Sequence, residues 1–137
     1  MRLVQRPWSE ATEAAEIARC DLGVMPLPDS EWARGKCALK LLQYMAAGVP
    51  VVASPVGVNA DIVCHGENGL LAADGAGWEA AFRQLADDVP ARTRIGEAGR
   101  ATVEAGFSLR GGTELVAKAY GLGPVPADPG DSSRPRR

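Results

Sequence analysis

The run "VPVVAS", Val49 to Ser54, constrains this chain more than any other stretch. Its apolar residues are consecutive, with no polar side chain at alternate positions. A strand with one wet face alternates, whereas a strand covered on both faces does not. Helices must therefore lie on either side of it, and the flanking sequence supplies them. Two further runs share its character. "DLGVMPL", Asp21 to Leu27, is stopped by Pro26 and Pro28, and "GLLAA" follows the Asn68–Gly69 turn. Strands of this kind alternating with helical segments predict an α/β fold with a parallel sheet.

The remaining elements fall into place around these runs. "RLVQ" is a short strand ended by Pro7. Ser9 is an N-cap for the helix "EATEAAEIARC", with Glu10 and Glu13 in its first turns, where the helix dipole favours acids. "PDSEWAR" is a loop. "KCALKLLQYMAAG" is a helix closed by Gly48 as its C′ residue. A short helical piece spans Ala60–Val63. "GWEAAFRQLADD" is amphipathic, with Trp78, Phe82 and Leu85 on one face. Helices are also expected over Pro90–Ala105 and Leu109–Tyr120. A folded unit thus covers residues 1–122, and the Pro/Gly/Ser/Arg-rich segment 123–137 is expected to be disordered.

Several chemistries are disfavoured. The formal net charge of −2 gives no basic field for nucleic acid. Cys20, Cys37 and Cys64 are odd in number and lack CxxC spacing, and His65 is the sole histidine. Neither a disulfide framework nor a metal site is expected, and a reducing cytoplasm fits. No run approaches the roughly 18–20 apolar residues of a membrane span. A P-loop would need glycine at Ser30 and a hydroxyl at Cys37, and no G-x-G-x-x-G is present.

In open α/β sheets ligands bind beyond the carboxyl ends of the strands. The loop after "DLGVMPL" lies at such an end and leads into "RGKCALKLLQ". Gly35, Lys36, Cys37 and Ala38 are expected to form the first helical turn, whose free N–H groups and dipole attract an anion. Arg34 and Lys36 add positive charge. Lys40, Gln43 and Tyr44 follow near the same face, suited to hydroxyl groups. On pattern alone, an ordinary amphipathic helix is the commoner case: Lys36 and Lys40 solvated, and Leu39, Leu42, Met45 and Ala46 packed inward.

The stretch "DLGVMPLPDSEWARGKCALKLLQYMAAGVPVVASPVGVNADIV", followed by "GENGLLAAD", closely resembles the carboxyl-terminal domain of family-four, "group 1", GT-B glycosyltransferases. The likeness extends over roughly Arg2 to Leu109. It implies a partial Rossmann-like domain that binds a nucleotide-diphosphate sugar, with Gly35, Lys36, Cys37 and Ala38 at the donor diphosphate and Lys40 and Gln43 near donor sugar or ribose. The family often carries a glutamate, seven residues and a second glutamate before "AMA-x-G-x-P-V". Here those positions hold Gly35 and Gln43, so both carboxylates are absent. Gln43 retains an uncharged acceptor for ribose hydroxyls.

The resemblance also implies an incomplete domain, lacking two βα units before "RLVQ" and an acceptor-binding amino-terminal partner domain. With strands ordered 3-2-1-4-5-6, strands 1 and 2 would be missing. The implied activity is hexosyl transfer with retention and no cofactor or metal, catalytic residues unassigned, and this chain alone is expected to be inactive. The alternative is a non-catalytic remnant or regulatory nucleotide-binding module. A receiver-like domain fits less well, because Asp21 starts its strand. Trp8 is a candidate for base contact, and Trp32 for the site wall or loop packing. Arg134, Arg136 and Arg137 suggest peripheral contact with the anionic inner membrane face.

Overall fold

A computed structural model describes residues 4–124. The elements are α1 (Glu10–Ala18), β1 (Gly23–Met25), α2 (Glu31–Arg34), α3 (Leu39–Ala46), β2 (Val51–Ala53), α4 (Asn59–Ile62), β3 (Leu70–Leu71), α5 (Gly75–Asp87), α6 (Val89–Gly106) and α7 (Leu109–Ala119). The three strands form a parallel sheet ordered β1-β2-β3, with Val24 opposite Val52 and Ala53 opposite Leu71. Helices flank it, as expected.

The central strand is buried throughout, which accounts for its unbroken apolar sequence. Val51 and Ala53 face Ala38, Leu41 and Met45, with Ile62 and Val63 beside them. Val52 points the other way, onto Leu70, Ala72, Ala81, Leu85 and Ile95. Burying a valine side chain contributes roughly 1.5–3 kcal/mol, so both faces anchor this strand. Helix α6 lies against α3 through glycines. A Cβ on Gly96 would stand 2.2 Å from the Gly48 carbonyl oxygen, and one on Gly99 would stand 3.1 Å from that of Asn68.

Several expectations need correction. Val4 and Gln5 are not in a strand, and Arg2 and Leu3 of "RLVQ" lie outside the described residues, as does segment 125–137 of the tail. "PDSEWAR" is not all loop: Ser30 Oγ accepts the Ala33 N–H at 3.2 Å and caps the one-turn helix α2. The inward face of α3 is Leu41 and Met45, with Leu42 partly buried against the same core, whereas Leu39 is 62% exposed and Ala46 is exposed too. Tyr44 turns away from Lys40 and lays its ring over Gly23, where a Cβ would meet the ring at 2.4 Å. Ser9 sits at the N-cap of α1 with extended backbone, but its carbonyl rather than its hydroxyl receives the amides of Thr12 and Glu13.

Candidate functional site

The carboxyl ends of β1 and β2 are laced together. The Ser54 N–H donates to the Met25 carbonyl at 3.1 Å, the Leu27 N–H donates to Ser54 Oγ at 3.0 Å, and Asn59 Nδ2 donates to the Ser54 carbonyl at 3.2 Å. The two loops leaving these strands are therefore held side by side. Gly57, at φ +56°, lies against α2 so closely that a Cβ would stand 2.7 Å from the Arg34 carbonyl oxygen. The second loop thus braces the turn at Arg34–Gly35.

The first turn of α3 is not Lys36–Ala38, as the sequence suggested, but begins at Leu39. The cause is α2. Its C-terminus takes the Gly35 N–H at the Glu31 carbonyl (3.3 Å) and the Lys36 N–H at the Ala33 carbonyl (3.2 Å). Ala38 then adopts the left-handed conformation, φ 54° and ψ 25°, and turns the chain into the helix. That geometry costs a non-glycine residue about 1–2 kcal/mol; the Ala38 methyl, buried in the core, helps hold it. Of the four amides expected to face an anion, Gly35 and Lys36 are already engaged. The first intrahelical bond is Leu42 N–H to the Ala38 carbonyl at 3.1 Å, and the N–H groups of residues 37–41 have no acceptor among the described residues. The row of unbonded amides has moved along the chain, and its exposed members are Cys37, Leu39 and Lys40, whereas Ala38 and Leu41 are buried. Gly35 itself has φ −80° and needs no glycine-only conformation.

The charges beside this row are unequal. Arg34 forks onto Asp29, with Nε at 2.7 Å and Nη2 at 2.9 Å, an arrangement that holds the Asp29 carboxyl below its usual pKa. Among the described residues the Lys36 ammonium has no carboxylate partner. It rests 4.1 Å from the ring centroid of Trp32, which is 77% exposed and so does not pack the loop. Lys40 is paired with Glu13 of α1 at 2.8 Å. Glu13 also receives Gln43 Nε2 at 3.1 Å and the indole N–H of Trp8 at 3.2 Å. These bonds, that from Lys40 foremost, lower the Glu13 pKa. Lys40 and Gln43 are thus brought together on Glu13, and Trp8 joins them there. Glu13 entered the sequence reading only as a dipole-matching acid; its role required knowing that α1 lies beside α3. A groove of about 450 Å³ runs between these helices, lined by Glu13, Ile17, Gln43, Ala46 and Arg100.

Other polar residues have structural duties. His65 Nδ1 accepts the Leu71 N–H at 2.9 Å. Asn68 accepts from the Cys64 N–H and donates to the Ile62 carbonyl and Thr102 hydroxyl, confirming a turn residue. Among the described residues no three His, Cys, Asp or Glu side chains are grouped as metal ligands, and no helix is long and apolar enough to cross a membrane.

A parallel sheet flanked by helices gives this unit a Rossmann-like α/β fold that matches the carboxyl-terminal domains of GT-B proteins. More closely, the chain belongs to the group 1 glycosyl transferases, whose family model matches residues 7–88. Solved structures agree in fold. The carboxyl-terminal domain of LpcC from Francisella tularensis, a group 1 family glycosyl transferase, aligns with TM-score 0.62 at 21% identity, over 77% of this chain and 53% of that one. Sucrose-phosphate synthase from Thermosynechococcus elongatus aligns with TM-score 0.57 at 30% identity, over 60% and 21%. HepE from Anabaena, solved with UDP, aligns with TM-score 0.61 at 24% identity, over 77% and 29%. The chain therefore spans about half of the LpcC domain and less than a third of the other two proteins. Comparison with curated proteins gave no match.

Proposed function

We propose that this unit binds the nucleotide-diphosphate sugar donor of a retaining glycosyltransferase. The observation that carries the proposal is the run of unbonded amides at residues 37–41, placed beyond the carboxyl edge of a parallel sheet and beside Lys36. Successive N–H groups and the helix dipole suit a diphosphate, and a lysine without a carboxylate partner adds charge where the leaving group becomes more negative. Lys40, Gln43 and Trp8 would take the ribose, sugar or base side of the donor. UDP and UDP-glucose are bound by the structural neighbour HepE, which supports a ligand of this class.

A second reading, nucleotide binding without transfer, is favoured by Gly35 and Gln43, which stand where the family often carries carboxylates. Transfer also requires an acceptor held about 3–3.5 Å from the reactive carbon, a task we assign to a separate amino-terminal domain. By either reading this unit binds the donor.

Calorimetry with UDP, GDP and ADP tests the proposal. Lys36→Ala should weaken binding more than Lys40→Ala, because Lys40 is already paired with Glu13. A charge-assisted hydrogen bond of about 1.5–3 kcal/mol corresponds to a loss of roughly tenfold or more. Equal affinity in wild type and Lys36→Ala would refute the assignment.

A further inference from the structure

Arg34, Lys36 and Lys40 flank the start of α3, and they are held in different ways. Arg34 forks onto Asp29, and Lys40 pairs with Glu13. The Lys36 ammonium instead sits 4.1 Å from the ring centroid of Trp32. A carboxylate fixes a cation and cancels its charge. An aromatic face fixes it through the ring quadrupole and leaves the net charge in place. An ammonium carries three N–H donors, so contact with a ring on one side leaves others for a ligand.

The ring is carried on a braced support. Trp32 lies in α2, which Ser30 caps at one end and Gly57 abuts at the Arg34 carbonyl. The Lys36 N–H bonds back onto the same turn, at the Ala33 carbonyl. The backbones of both residues are thus tied together, and only the lysine stem has to be placed. Trp32 is itself 77% exposed and belongs to neither core cluster, so its ring serves no packing duty inside the fold. A free lysine gives up rotamer freedom when it meets a phosphate, whereas one already laid over a ring has given up part of it beforehand.

Resting on the donor-binding function proposed above, we infer that Trp32 is a positioning residue: its ring holds the Lys36 ammonium, with its charge intact, next to the exposed amides of Cys37, Leu39 and Lys40. It raises affinity for a diphosphate through the lysine and not through a contact of its own.

The experiment titrates pyrophosphate, UDP, GDP and ADP into wild type, Trp32→Leu, Trp32→Phe, Lys36→Ala and the Trp32→Leu, Lys36→Ala double variant, with thermal melting as the check on folding. Trp32→Leu keeps apolar bulk and removes the ring face. It should weaken binding about two- to fivefold, the scale of a cation over an exposed ring. Trp32→Phe keeps a weaker ring face and should recover part of that loss. In the Lys36→Ala background Trp32→Leu should change nothing, because the group through which the ring acts is gone. A further readout needs no ligand: the ring current should move the Lys36 Hε protons upfield in wild type, and Trp32→Leu should abolish that shift. Ordinary Hε positions in wild type, wild-type affinity in Trp32→Leu, or no recovery in Trp32→Phe would each overturn the inference and leave the donor reading intact. So would an equal loss from Trp32→Leu with and without Lys36, which would make Trp32 act independently of the lysine. Failure of wild type to bind any of the four ligands would overturn the donor reading and this inference together.

Discussion

Gly57→Ala tests how the two loops brace one another. Gly57 has φ +56°, a conformation that costs an alanine about 1–2 kcal/mol. The added Cβ would also stand 2.7 Å from the Arg34 carbonyl oxygen and 3.0 Å from the Arg34 Cα. These are backbone atoms of a capped helix end, so they yield only if the turn moves, at a further cost of about 1–3 kcal/mol by analogy with overpacking. Gly48→Ala separates the two contributions. Gly48 has φ +72°, yet a Cβ there meets nothing within 4 Å. Both variants lose the same unfolded-chain entropy relative to glycine, so that contribution cancels in the comparison. Gly57→Ala should therefore melt below Gly48→Ala by about 5 °C or more, given a few degrees per kcal/mol for a domain of this size. Thermal melts followed by circular dichroism provide the measurement. Displacement of Arg34 should also disturb residues 35–38 and weaken pyrophosphate binding, whereas Gly48→Ala should not. Equal melting temperatures would refute the idea that Gly57 fixes the turn by contact.

Three further outcomes are expected. Gly96→Ala, whose Cβ would lie 2.2 Å from the Gly48 carbonyl oxygen, should destabilise the α3–α6 contact by about 2 kcal/mol or more, read from urea unfolding. Asn68→Ala removes three hydrogen bonds and leaves the Cys64 N–H without its partner; it should cost about 2–3 kcal/mol by the same method. The pairing of Glu13 gives a pH signature. Its folded pKa lies below the unfolded 4.5, so protonation favours unfolding. The stability advantage of wild type over Glu13→Gln should be fully present above pH 4.5 and lost as the pH falls through the lowered folded value, measured by melting across that range.

The sheet was legible because β2 is buried on both faces, and an apolar run without alternation suits few positions other than the middle of a covered sheet. The helix α3 was legible from its apolar spacing and Gly48, but its start was not. Ser30 followed by "EWARG" carries a cap and a C-terminal glycine around one turn, and a four-residue helix has almost no periodicity to reveal it. Missing α2 assigned the Gly35 and Lys36 amides to a ligand when a carbonyl already held them. The surroundings of Lys36 are local, with Trp32 only four residues before it. Those of Glu13 are not, since its partners Lys40 and Gln43 lie about thirty residues away and meet it only through the packing of α1 on α3. The absence of a free charge on Arg34 was likewise hidden, although Asp29 lies only five residues earlier.

The central claim, that the start of α3 holds a diphosphate, is tested most directly by nitrogen–proton NMR correlation spectra of the chain during titration with UDP, GDP and ADP. The amides of residues 37–41 should shift more than any others, pyrophosphate alone should move the same set, and Lys36→Ala should remove the response while the fold persists. Shifts confined to another surface, or a Lys36→Ala titration indistinguishable from wild type, would contradict the claim.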